Sequence, residues 1–156
     1  MLYTLAALVA LAAPPGQQPD SATRARYTPA LHALEDSLGT LGAAVARFQT
    51  DLPNASPDLV VARSSRVKQH CTGALAAAAA VDSAVPARAS LRSALTSLRA
   101  ELSRCNEEFA TGKWTERADS LRAWGPHRLA RLTEAMQRYR WSARRFDESA
   151  LAAPTK

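Results

Sequence analysis

Residues 91–109, LRSALTSLRAELSRCNEEF, carry the clearest structural signal in the chain. Their apolar side chains recur at alternating intervals of four and three residues, which lays one apolar stripe along a single face of an α-helix. The members of this stripe are Leu91, Leu95, Leu98, Leu102, Cys105 and Phe109. A helix with one apolar face must bury it against other elements, so this stretch predicts a helical bundle.

The first helical segment of the chain, which ends at Leu52, has the same pattern but contains Pro29. Its stripe consists of Tyr27, Leu31, Leu34, Leu38, Leu41, Val45, Phe48 and Leu52. The helix either begins at Thr28 with the proline in its first turn, or begins near Asp20 and kinks at Pro29. Because Tyr27 keeps the register of the stripe, we favour the kinked helix.

A second helix is expected from Pro57, behind an N-cap at Ser56, to about Asp82. Its inward residues are Val60, Val67, Cys71, Ala74, Leu75, Ala78 and Val81. The small side chains of the tract Ala76 to Ala80 would let a neighbouring helix approach, although an alanine-rich helix also needs no special explanation. The third helix should end before Gly112, a residue suited to the position that follows a helix.

The fourth helix is expected from about Thr115 to Glu148, with a kink at Gly125-Pro126 because its stripe continues through that site. The stripe comprises Leu121, Trp124, Leu129, Leu132, Met136, Tyr139, Ala143 and Phe146. Short connections between four amphipathic helices predict an all-α, antiparallel up-down four-helix bundle with kinked, long first and last helices. One domain should span residues 20–150, and residues 151–156 should fray.

Residues 1–13 have the features of an export signal. They contain an uncharged apolar run of about a dozen residues, shorter than the roughly 20 that a membrane anchor needs. Ala10-Leu11-Ala12 supplies the small residues of a cleavage site, and a Pro/Gln linker follows at residues 14–19. No Lys or Arg precedes the run, so an apolar tail is the alternative. The protein is expected to be periplasmic or extracellular.

The composition agrees with a helical, basic protein. The chain contains no isoleucine and carries a net charge of +6, almost entirely from arginine. A basic protein attracts anionic partners, but no nucleic-acid-binding motif accompanies the charge. We therefore expect no specific nucleic acid and no transmembrane span.

Cys71 and Cys105 are the only cysteines, and each lies in the apolar stripe of its helix. In an antiparallel helix pair, the numbers of two residues at the same height along the axis always have the same sum. If Cys71 and Cys105 face each other, the centre of the turn therefore lies midway between them in the sequence, at residue 88. A tight turn at Val85-Pro86 would offset them by about 9 Å along the axis, more than the roughly 4.4–6.8 Å Cα separation of a disulfide allows. The break should therefore extend to Ala89, with Ser90 as N-cap. Two buried thiols are the alternative.

Residues for catalysis or metal binding are not grouped in the sequence. His32, His70 and His127 lie on different segments without a coordinating spacing, and adjacent carboxylates on a helix point about 100° apart. Met136 with one histidine would resemble the axial ligands of a haem, but a methionine on an apolar stripe belongs more often to a core. We expect no enzyme, no metal and no cofactor.

The fourth helix combines arginine with tryptophan more densely than any other segment. Trp141 lies off the apolar stripe on the side of Arg138 and Arg145, with Arg131 two turns earlier. Exposed Trp and Arg are enriched at binding hot spots. The alternative is that Trp141 packs against a neighbouring helix.

These features suggest an exported, non-enzymatic bundle of the cell envelope that acts as a binding or structural module through this helix. The partner would be a protein or an anionic envelope component; the sequence does not indicate an oligomeric state. One alternative is a bundle that holds a small apolar or haem-like ligand between its helices. Another is a basic module bound to an anionic membrane surface or envelope polymer.

Intact mass spectrometry of the native protein tests the export hypothesis. We expect a chain that has lost Met1 with its leader, and that lacks the two thiol protons of Cys71 and Cys105. A chain that retains Met1 and two free thiols would contradict both expectations.

Overall fold

The fold consists of four α-helices in a computed structural model that describes residues 21–87, 89–109 and 114–151, with side chains at 24–87, 89–109 and 118–146. The helices are α1 (Ser21–Asp51), α2 (Pro57–Ala84), α3 (Arg92–Glu108) and α4 (Trp114–Leu151). The expected leader, the linker, Gly112 and residues 152–156 lie outside the described residues. The predicted all-α four-helix bundle is confirmed, and no strand occurs within these ranges.

Both internal prolines lie within continuous helices. α1 begins at Ser21 and passes through Pro29, so the alternative start at Thr28 is wrong. α4 likewise passes through Pro126. A proline removes one backbone hydrogen bond, and the burial of apolar residues on both sides of each proline stabilises the helical register despite that loss.

The apolar stripes form one core. Every predicted member is buried except Leu31, Leu75, Trp124 and Ala143, which are partly buried and pack against the others. Ring contacts join the helices at two levels, Tyr27 with Phe146 at 5.2 Å and Phe48 with Phe109 at 6.0 Å between centroids. The heptad spacing therefore predicted the buried face of each helix.

Ser64 occupies a core position that the apolar pattern did not reveal. It lies in the α2 stripe between Val60 and Val67 and is fully buried. Its hydroxyl donates a hydrogen bond of 2.8 Å to the carbonyl of Val61. Because the helix backbone satisfies this hydroxyl, burying it leaves no unpaired polar group.

The helices pack in chain order around the core, and α2 also approaches α4 across the centre. In the described residues, by contrast, no Cα of α1 lies within 8 Å of a Cα of α3. The buried face of α2 carries Ala74 and Ala78, whose small side chains permit close contact. Within the described ranges, no helix is both long enough and apolar enough to cross a bilayer.

The connection between α2 and α3 is as wide as the cysteine register requires. α2 ends at Ala84 and α3 begins at Arg92, so the two ends are equidistant from residue 88. Cys71 and Cys105 form a disulfide with a Cα separation of 6.2 Å. The predicted pairing is therefore observed, and the break extends to Leu91, past its predicted end at Ala89.

The predicted N-cap at Ser90 is wrong. The residue before α3 is Leu91 in an α-helical conformation, and no side chain caps this end. Two successive turns, Ala89 N–H to Pro86 at 3.0 Å and Arg92 N–H to Ala89 at 3.1 Å, lead directly into the helix. A capping serine needs an extended backbone, which these turns exclude. Ser56, by contrast, is extended and caps α2 as expected.

Reducing the disulfide should lower the free energy of unfolding by roughly 3–4 kcal/mol, because the unfolded chain is then no longer closed between cysteines 34 positions apart. Urea unfolding followed by circular dichroism, with and without dithiothreitol, measures the difference. The double variant Cys71→Ala/Cys105→Ala is the control and should respond identically in both conditions. An unchanged wild-type midpoint on reduction would show that the bond does not stabilise the fold.

Candidate functional site

Trp141 is the most exposed large apolar side chain described. Its relative solvent exposure is 61%, while Tyr139, two residues earlier on α4, is buried. The guanidinium of Arg145 lies 4.6 Å from the centre of the indole ring, within the range of a cation–π contact. The structure therefore favours the exposed alternative for Trp141 over the packed one.

Trp141 borders a groove between α3 and α4, which we call the α3–α4 groove. Its volume is about 590 Å³, and it is open to solvent. Its lining consists of Ser90, Ser93, Ala94 and Ser97 on the α3 side and Gln137, Arg138, Trp141 and Ser142 on the α4 side. Small residues on α3 thus face one large aromatic residue and one cation on α4.

The predicted partner-binding arginines have different environments. Arg138 lines the groove and pairs with Glu134 on its own helix. Arg145 contacts the ring of Trp141 instead, and Arg131 pairs with Glu101 of α3 at 3.2 Å. Trp141, Arg138 and Arg145 are therefore near one another, whereas Arg131 lies two turns away and does not line the groove.

Asp82, Arg92 and Arg99 form a cluster of contacts at the end of the groove, which we call the clamp. This cluster was not predicted from the sequence. Arg92 donates a hydrogen bond of 2.7 Å to the Asp82 carboxylate. It also donates to three backbone carbonyls, those of Asp82 at 2.9 Å, Val85 at 2.7 Å and Pro86 at 3.0 Å. Arg99 donates to the second Asp82 oxygen at 2.8 Å. This clamp fixes the connection between α2 and α3, which ends in the groove at Ser90.

One sequence signal could have located this clamp. Asp82 lies in the last turn of α2, where the helix dipole disfavours a negative charge. A carboxylate in that position needs a nearby cation, and Arg92 and Arg99 are the first arginines within α3. The residue numbers alone could not show that both side chains turn towards Asp82.

The residues considered for haem or metal binding do not converge. His32 and His127 are exposed and His70 is half-buried, whereas Met136 lies in the core at 4% exposure. In the described part of the chain, no three His, Cys, Asp or Glu residues are grouped so that they could hold a metal ion. The candidate thioether is thus inside the bundle, and the candidate imidazoles are outside its core.

A smaller cleft between α1 and α4 includes a buried phenol. Its volume is about 230 Å³, and Tyr139, His32 and Arg144 are part of its lining. The hydroxyl of Tyr139 has no hydrogen-bond partner among the described residues. Burial raises the pKa of Tyr139 well above its ordinary value, and the negative charge of Glu35 raises it further. The phenol therefore stays neutral and can donate a hydrogen bond.

Comparison with protein-family models, with curated proteins and with solved structures finds no match to this chain. Its function is therefore argued from the geometry of these surfaces.

Trp124 and Trp141, both on α4, should differ in their contribution to stability. Trp141→Ala should change the free energy of unfolding by less than about 1 kcal/mol, because the side chain is largely in solvent. Trp124→Ala should cost at least about 2 kcal/mol, since its ring packs 5.4 Å from that of Phe109. Chemical denaturation of both variants tests this, and equal losses would contradict the assignment of Trp141 to a free surface.

Proposed function

We propose that the protein is an exported, non-enzymatic helical-bundle protein of the cell envelope that binds a partner protein in the α3–α4 groove. The observation that carries this proposal is the exposure of Trp141, at 61%, beside an open groove. Interface hot spots are enriched in Trp and Arg that become buried on binding. Trp141 supplies the apolar anchor, and Arg145 restrains its ring.

The lining of the groove supports a partner segment with amide or hydroxyl side chains. Arg138 is paired with Glu134 of its own helix, and no carboxylate is among the lining residues. Serine hydroxyls and the Gln137 amide donate and accept hydrogen bonds, which suits a polypeptide with its own amide groups. An apolar residue of that segment would cover the indole of Trp141.

The disulfide supports the proposed location. Structural disulfides persist in oxidising compartments such as the periplasm and the extracellular space, and Cys71 is bonded to Cys105. The apolar run at residues 1–13 has the features of an export signal, which indicates the same compartments. These two observations are independent, because one concerns the core and the other the beginning of the chain.

The ion pairs support a non-enzymatic role. Seven described carboxylates act as counter-ions of arginines, and none of the seven lines the α3–α4 groove. They are Glu35, Asp51, Asp82, Glu101, Glu108, Asp119 and Glu134. General acid–base catalysis needs a carboxylate or imidazole that faces a substrate, whereas these groups face arginines on the bundle surface.

Affinity capture from an envelope fraction tests the proposal. Tagged wild-type protein and Trp141→Ala are compared by quantitative mass spectrometry, together with Ser93→Trp, which fills the groove while keeping Trp141. Both variants should recover at least tenfold less of a shared partner, as expected for loss of a hot-spot contact of about 2 kcal/mol. Arg138→Ala should weaken recovery in the same direction.

Arg26→Ala is the control for this capture, because Arg26 is an exposed arginine outside the groove. It should recover the partner at the wild-type level. Equal recovery by wild type, Trp141→Ala and Ser93→Trp would exclude the groove as the binding surface. Circular dichroism melting of each variant ensures that a loss of recovery does not reflect unfolding.

A further inference from the structure

A second cleft lies between α1 and α2, on the opposite side of the bundle from the α3–α4 groove, because the helices pack in chain order. We call it the α1–α2 cleft. Its volume is about 220 Å³. Apart from two alanines, its lining consists of Thr40 and Arg47 of α1 and Arg63, Arg66 and His70 of α2. Every ionisable group in this lining is a base.

The positive charge of the cleft is only partly compensated. Arg63 pairs with Asp51 at 2.7 Å. Arg47 and Arg66 are exposed and have no ion-pair partner among the described side chains, and no carboxylate lines the cleft. All three arginines of α3, in contrast, pair with a carboxylate. Arg26 and Arg144 also have no ion-pair partner among the described side chains, so what distinguishes this cleft is that two unpaired arginines from different helices line it together.

The two helices present these groups to one region. Arg63, Arg66 and His70 are spaced by three and four residues, so they lie on the same face of α2. Arg47 approaches from α1. Like charges so placed repel one another, and an anion between them would remove the repulsion while accepting hydrogen bonds from both helices.

We infer that the α1–α2 cleft binds a phosphoryl group. Such a group offers several oxygens in a tetrahedral arrangement, so it accepts from Arg47 on one side and from Arg66 on the other. A carboxylate has two oxygens in one plane and fits a single guanidinium better. A volume of about 220 Å³ compares with about 30 Å³ for one water in the liquid, which leaves room for the phosphoryl group and the first atoms attached to it.

Titration calorimetry of the purified protein with inorganic phosphate at low ionic strength tests this site. Arg47→Gln and Arg66→Gln should each weaken binding at least tenfold. Arg26→Gln is the matched control, since it removes the same charge from an exposed, unpaired arginine of α1 that is about 30 Å from Arg47 along the helix. It should bind phosphate within twofold of wild type.

Two results would overturn the inference. One is the absence of phosphate binding by the wild type. The other is equal weakening in all three variants, which would reflect net charge rather than a site. Trp141→Ala should retain phosphate binding, so failure of this site and failure of the α3–α4 groove are distinguishable.

Vesicles identify what carries the phosphoryl group. Sedimentation with phosphatidylglycerol vesicles, with phosphatidylcholine vesicles as reference, is measured for the same variants. Retention that is lost in Arg47→Gln and Arg66→Gln but kept in Arg26→Gln supports the site with a lipid headgroup as ligand. Phosphate binding without vesicle retention supports the site with a soluble phosphate ester as ligand.

Discussion

The antiparallel register of α2 and α3, centred on residue 88, is the constraint on which the rest of the structure depends. The Cys71–Cys105 bond fixes this register in the core, with the two Cα atoms 6.2 Å apart. A shift by one helical turn in either helix would move the cysteines apart by about 5 Å. It would also separate Asp82 from Arg92 and Arg99, whose contacts close the connection between the helices. Covalent and electrostatic contacts thus specify the same alignment.

That alignment determines where the α3–α4 groove begins. Since α3 starts at Arg92, its first turn lies beside the last third of α4, at the level of Trp141. The residues of α3 that face Trp141 are serines and an alanine, which are too small to cover an indole. The exposure of Trp141 therefore follows from two features together, the start of α3 and the small side chains in its first two turns.

The sequence predicts the fold better than the surfaces because apolar periodicity reports burial directly. The stripes identified which face of each helix is inward, and the cysteine numbering identified the wide break after α2. Ser64 was missed because a hydroxyl bonded to its own helix looks polar in the sequence. The α1–α2 cleft was missed for another reason: Arg47 and Arg66 belong to different helices, and only the rotation of α1 against α2 brings them to one cleft. That rotation depends on how core side chains interlock.

The distribution of charge connects the two surfaces. The described arginines of α3 and the middle of α4 pair with carboxylates of the same helix or of a neighbour, so this part of the α3–α4 side has little uncompensated charge, with Arg145 beside Trp141 as the exception. The excess positive charge lies elsewhere, including the α1–α2 cleft on the opposite side. A partner in the α3–α4 groove would therefore bind mainly through Trp141 and local hydrogen bonds, with weak dependence on salt. An anion in the α1–α2 cleft would bind through charge, which salt screens. The two sites are far enough apart around the bundle to be occupied together.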